Sequence, residues 1–187
     1  MKYIYTFFCL FLLSGVAYAE EPITGAFGQK LGATIDENIH KFNFGYSMED
    51  ARQAPVYNFF PEKNIGPFED YRVQATPATK RIYKIWAVGR FTHPAQCLPE
   101  RIVLQMVLET KYPSLKSWTS KDSYTWEVYT KTPHRFISVE CKYKDEAGNK
   151  GHQLNASEAT ISIRYVDSAL ADVVLKERAS MLDDSNF

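Results

Sequence analysis

The stretch Phe91 to Arg101, FTHPAQCLPER, sets a histidine, His93, four residues ahead of a cysteine, Cys97. Three chemistries use such residues. A thiolate nucleophile needs a base beside it, and an imidazole within hydrogen-bonding reach supplies one. A zinc site uses the same two residue types but draws two further ligands from elsewhere. A disulfide needs only a second cysteine and an oxidising compartment.

The choice among them depends on where the chain works. Residues 1–19, MKYIYTFFCLFLLSGVAYA, read as a cleaved leader: Lys2 supplies the positive start, Phe7 to Leu13 form an unbroken apolar run, and Ala17-Tyr18-Ala19 is a small-x-small cleavage site. The apolar run is too short for a bilayer core of about 30 Å. Cys9 lies inside it and not at the cleavage point, so a lipid-anchored leader is not indicated. Cleavage near Ala19 leaves an expected periplasmic or secreted domain, residues 20–187, without a membrane span.

Cys9 leaves with the leader, and Cys97 and Cys141 remain. Two cysteines in an exported chain read most simply as a disulfide. A Cys97–Cys141 bridge closes a loop worth about 4 kcal/mol on the chain-entropy model. The nucleophile reading loses ground because an oxidising compartment consumes free thiolates. The metal reading lacks partners: Asp36 and His40 also stand four apart, but no second ligand pair accompanies them, and His40, His93, His134 and His152 are scattered.

The chain has 22 basic and 22 acidic residues, and loss of Lys2 leaves 21 against 22, a formal charge of −1. This near-neutral balance, without basic clusters, argues against nucleic acid, whose binding needs massed lysine and arginine. Gly25, Gly28 and Gly32 fit neither G-x-G-x-x-G nor a P-loop, so they read as turn residues around a short strand, and no cofactor is expected. Serine-hydrolase, S-x-x-K, H-E-x-x-H and C-x-x-C signatures are missing too. Carboxylate pairs need only two acids in reach, and nothing in the spacing singles one out.

The elements that would carry any site follow from hydrophobic period. PVYNFFPEK predicts a short, proline-limited edge strand. FEDYRVQA and RIYKIWAVGRF flank TPATK as a hairpin, with Tyr83, Ile85, Ala87, Gly89 and Phe91 on its core face and Ile82, Lys84, Trp86, Val88 and Arg90 opposite. LPERIVLQMVLETKY predicts the main helix, about 99–112, with Pro99 at its first turn and Val103, Leu104, Val107, Leu108 and Tyr112 as its broad apolar side. SYTWEVYTK, HRFISVECKYK and ATISIRYVD alternate as strands, with Cys141 on the apolar face. SALADVVLKERASML ends the chain as an amphipathic helix. Strands adjacent in sequence imply an α+β fold, an antiparallel sheet of about five to six strands with the main helix packed on it and a short C-terminal helix.

Two stretches are candidates for recognition. SWTSKDSYTWEVYT gathers Trp118, Lys121, Asp122, Tyr124, Trp126 and Tyr129, and Trp86 joins them from the hairpin; side chains with an aromatic body and a polar handle are enriched at binding surfaces. The competing reading puts Tyr124 and Trp126 in the core and leaves Trp118 outside. The loop from Asp145 to Glu158 is long and polar, and Asn155-Ala156-Ser157 within it matches an N-glycosylation sequon. The expected function is non-enzymatic protein binding in the envelope or extracellular space, of an inhibitor, immunity or envelope-accessory type. A glycan, lipid or peptide groove lined by Trp86, Trp118 or Trp126 is the alternative, and an unrecognised secreted hydrolase the third.

Overall fold

The protein is described here by a computed structural model, which covers residues 22–35, 54–121, 124–130, 134–148, 150–151 and 153–184. The leader, Asp36, His40, Asp122 and His152 lie outside the described residues. A short hairpin, β1 (Gly25–Ala26) and β2 (Gln29–Lys30), precedes a seven-stranded antiparallel sheet. That sheet contains β3 (Val56–Asn58), β4 (Asp70–Ala75), β5 (Ile82–Phe91), β6 (Lys116–Thr119), β7 (Thr125–Tyr129), β8 (Arg135–Lys144) and β9 (Glu158–Asp167), in the order β3-β4-β5-β9-β8-β7-β6. Helix α1 (Cys97–Lys111) connects β5 to β6, and α2 (Ser168–Asp184) follows β9. The class is α+β.

The order follows from two meanders. β3, β4 and β5 turn back on one another, α1 carries the chain to the far edge, and β6 to β9 return until β9 pairs with β5. Strand alternation makes one face the core. Val73, Ile85, Ile163, Ile137 and Trp126 are buried there, while Lys84, Trp86, Arg164, Phe136 and Glu127 on the other face keep contact with solvent. The β4–β5 register slips at Gln74/Ala75, which pairs Ala75 with Ile82, passes over Tyr83 and buries Ile82, expected on the outer face, in the main core. Tyr83 packs instead with Ala54, Leu170, Ala171 and Val174, the contact that seats α2.

The hairpin β1–β2 is one lid of the core. Its two-residue turn, Phe27-Gly28, has φ of 55° and 83°, the left-handed pair that matches strand twist. A phenylalanine rarely adopts this conformation; edge contacts of its ring with Phe68, Tyr71 and Tyr165, at centroid distances of 6.0, 5.2 and 6.1 Å, hold it. A second close approach lies on β5. A Cβ built on Gly89 would stand 2.2 Å from the Pro67 carbonyl oxygen, so the segment before β4 crosses β5 where only glycine fits. Gly89→Ala is therefore expected to cost about 1–3 kcal/mol, read as a lower urea midpoint with an unchanged m value.

Helix α1 turns out rotated from its expected orientation. Its buried positions are Cys97, Arg101, Leu108 and the capping Tyr112, with Leu104 partly buried, whereas Val103 and Val107 are 51% and 58% exposed. The cause is covalent: Cys97 is bonded to Cys141 on the core face of β8, with Cα atoms 6.0 Å apart. Once Cys97 faces the sheet, the helical period carries Arg101, Leu104, Leu108 and Tyr112 to the same side.

Helix α2 is tied at both ends of its first three turns. Asp167 accepts the Leu170 N–H at 3.0 Å as its cap, and Glu177 accepts hydrogen bonds from Ala78 N, Thr79 N and Thr79 Oγ1 in the β4–β5 turn. Burial alone would raise the Glu177 carboxyl, but these bonds and nearby Lys80 outweigh it and hold it below the usual carboxylate range.

Candidate functional site

His93 and Cys97 do not form a catalytic dyad. Cys97 is fully buried and consumed in the disulfide, while His93 is exposed at the head of the 3-10 turn Pro94–Gln96. One turn beyond Cys97, Arg101 points into the helix–sheet interface, 3% exposed. Its Nη1 donates to Gln105 Oε1 at 2.9 Å, Gln105 Nε2 donates to Glu109 Oε1 at 2.8 Å, and Arg101 Nε and the Tyr143 hydroxyl are buried without hydrogen-bond partners. Tyr143 stacks at a tilt against Tyr124, centroids 4.9 Å apart. Burial lowers the arginine and raises the Tyr143 phenol, with Tyr124 adding to the rise and Arg101 opposing it. A phenol raised above its ordinary value stays protonated at neutral pH and is a poor general base. Among the described residues, no cluster of three or more His, Cys, Asp or Glu side chains is placed to hold a metal ion.

The residues proposed from sequence as a binding surface separate onto different faces. Trp126 is fully buried on the core face, and Tyr124 is half-buried against Tyr143. Trp118 is 53% exposed on the opposite, outer face, and Lys121 is exposed in the turn after β6. The outer face is readable as a register row: Arg72, Trp86, Arg164, Ser138, Glu127 and Trp118 stand opposite one another from β4 to β6. Trp86 and Trp118 thus share a face but lie four strands apart, about 19 Å at normal strand spacing. The Lys84 ammonium sits 4.8 Å over the Trp86 ring, and Arg164 pairs with Glu140 at 2.6 Å.

Around Trp118 the outer face is aromatic. Tyr129 is 42% exposed on β7, opposite Lys116 and diagonal to Trp118 across the β6–β7 ladder, and Phe136 stands opposite Tyr129 on β8. Sequence reading missed Phe136, although alternation in HRFISVECKYK already set it with Ser138 and Glu140 on the polar face. It also missed β6. All four β6 residues are exposed, so Lys-Ser-Trp-Thr carries no burial signature, and among the described residues β6 is an edge strand paired only to β7.

At the β8–β9 tip, Asp145, Glu146, Ala147, Asn155, Ala156 and Ser157 line an open cleft of about 390 Å³. Asn155 is exposed there. The cleft is polar, and none of the three tryptophans reaches it. Compared with known protein families, curated proteins and solved structures, the chain shows no significant match.

Proposed function

We propose that the protein is an exported, non-enzymatic binding domain whose protein partner docks on the β6–β7 edge of the outer face. The observation that carries this reading is the aromatic group Trp118, Tyr129 and Phe136 on three neighbouring strands, two of its members about half exposed, beside a strand that among the described residues pairs on one side alone. Interface hot spots are enriched in tryptophan and tyrosine, which bring large contact area at low entropic cost. Export rests on the leader-like residues 1–19 and agrees with a buried disulfide, a bond that persists in oxidising compartments. A glycan, lipid or peptide groove built on the tryptophans has less support, because Trp126 belongs to the core and Trp86 is remote from Trp118.

The test is affinity capture from the native envelope fraction with the wild-type protein and with Trp118→Ala and Tyr129→Ala. A stoichiometric protein held by the wild type is expected, with each substitution weakening it by about 2 kcal/mol, roughly thirtyfold. Both side chains are exposed, so the unfolding midpoint should stay where it is. A partner retained at full affinity by both variants counts against this surface.

A further inference from the structure

Helix α1 is apolar on the side that faces away from the sheet. Ile102, Val103, Met106 and Val107 are 43%, 51%, 61% and 58% exposed, and Pro99 and Thr110 complete the strip. At 100° per residue these six positions span an arc of about 140° and a length of about 16 Å that contains no charge. A surface helix ordinarily keeps its polar residues there. Carboxylates flank the strip on both sides: Glu109, exposed, beyond Ile102, and Glu100, half-exposed, beyond Val107. Of the cations on this helix, Lys111 turns aside and sits 5.2 Å over the Tyr112 ring, while Arg101 is buried on the sheet side, where Glu109 acts on it. The loop before β4 runs alongside, with Gly66 next to the Glu100 carboxylate and Ile65 48% exposed.

We propose that this strip is a second docking surface, distinct from the β6–β7 edge, and that it receives an amphipathic helix of a partner protein whose apolar stripe is flanked by lysine or arginine. A helix laid on a helix needs a matching apolar stripe, and the two carboxylate flanks select basic rims. A second copy of this chain fits poorly. A strip about 16 Å long falls short of the roughly 800 Å² per partner that a stable dimer of standard size buries.

The probe is a synthetic helical peptide with a leucine stripe flanked by lysines, titrated against the purified protein and compared with the same peptide carrying glutamates. Micromolar binding of the lysine peptide is expected, at least about tenfold tighter than the glutamate peptide. Met106→Glu is the deciding variant. It adds negative charge, so it would strengthen a purely electrostatic association, but it should weaken apolar docking by at least about tenfold. Its exposed position leaves the fold intact, which an unchanged unfolding midpoint verifies. Equal binding by Met106→Glu, or no preference for lysine over glutamate, overturns the proposal. So does a dimer in sedimentation that Met106→Glu dissolves, which would make the occupant a second copy. Binding to phosphatidylcholine–phosphatidylglycerol vesicles that Met106→Glu abolishes would make it a lipid surface. Trp118→Ala should leave peptide binding unchanged, which separates this surface from the first.

Discussion

Replacing Cys97 and Cys141 together by alanine should lower the stability of the protein by about 4 kcal/mol, the loop-closure entropy released in the unfolded chain by a bridge spanning 44 positions. That is a large part of the roughly 5–15 kcal/mol that holds an ordinary domain together. The loss should also be uneven. The face that α1 offers the sheet contains Leu104, Leu108 and Tyr112 but also Arg101, whose buried Nε lacks a partner. The opposite face has Ile102, Val103, Met106 and Val107, so hydrophobic burial gives this helix little reason to prefer one rotation. The bond supplies the preference. Amide hydrogen exchange is therefore expected to accelerate over residues 97–111 far more than over β8 and β9, which keep their ten-residue ladder. A uniform change along the chain, or a loss under about 1 kcal/mol, would show that α1 is held by packing.

The second large effect is expected at Asp167. Its carboxylate, 5% exposed, takes the Arg135 Nε at 2.9 Å on one oxygen and the Leu170 N–H at 3.0 Å on the other. Arg135, 17% exposed, also donates from Nη1 to the Ile23 carbonyl at 2.8 Å. One buried pair thus joins the N-terminal segment, the start of β8 and the cap of α2. Asp167→Ala removes the cap and leaves the guanidinium partly buried without its counter-charge, at an expected cost of about 3–5 kcal/mol. For a domain of this size the thermal midpoint should fall by on the order of 10 °C. Asp167→Asn keeps an acceptor for Leu170 but loses the charge, so it should fall between the wild type and the alanine variant. Equal midpoints for asparagine and wild type would assign the whole effect to the cap.

The strands were legible because alternation is a local property. In RIYKIWAVGRF the core face at Ile85, Ala87 and Gly89 and the outer face at Lys84, Trp86 and Arg90 lie where period 2 puts them. HRFISVECKYK and ATISIRYVD are as clear, since both pair along their full length in the middle of the sheet. Edges are less legible. β6 has no buried position to impose a period, and its pairing to β7 is set by a meander the sequence does not mark.

The candidate surface was half legible. Aromatic composition drew attention to Trp118, Tyr124, Trp126 and Tyr129, and alternation already placed Trp126 opposite Tyr129. That Tyr129 stands opposite Phe136 and diagonal to Trp118, and that Trp86 stands four strands from Trp118, depends on strand order. β9 inserts beside β5 and closes the two meanders into one sheet, a long-range pairing that no local pattern encodes.

By itself, then, the sequence determined the α+β class, the strand faces other than at the Ile82–Tyr83 bulge, the two helices and the choice of Cys97 and Cys141 as a pair. Each of these rests on residue period or on counting. The tertiary structure decided which side of α1 is inside. Its apolar residues ring the helix, so periodicity leaves the rotation degenerate, and the position of Cys141 on β8 resolves it. That single covalent constraint buries Arg101 and turns Val103, Met106 and Val107 to the solvent.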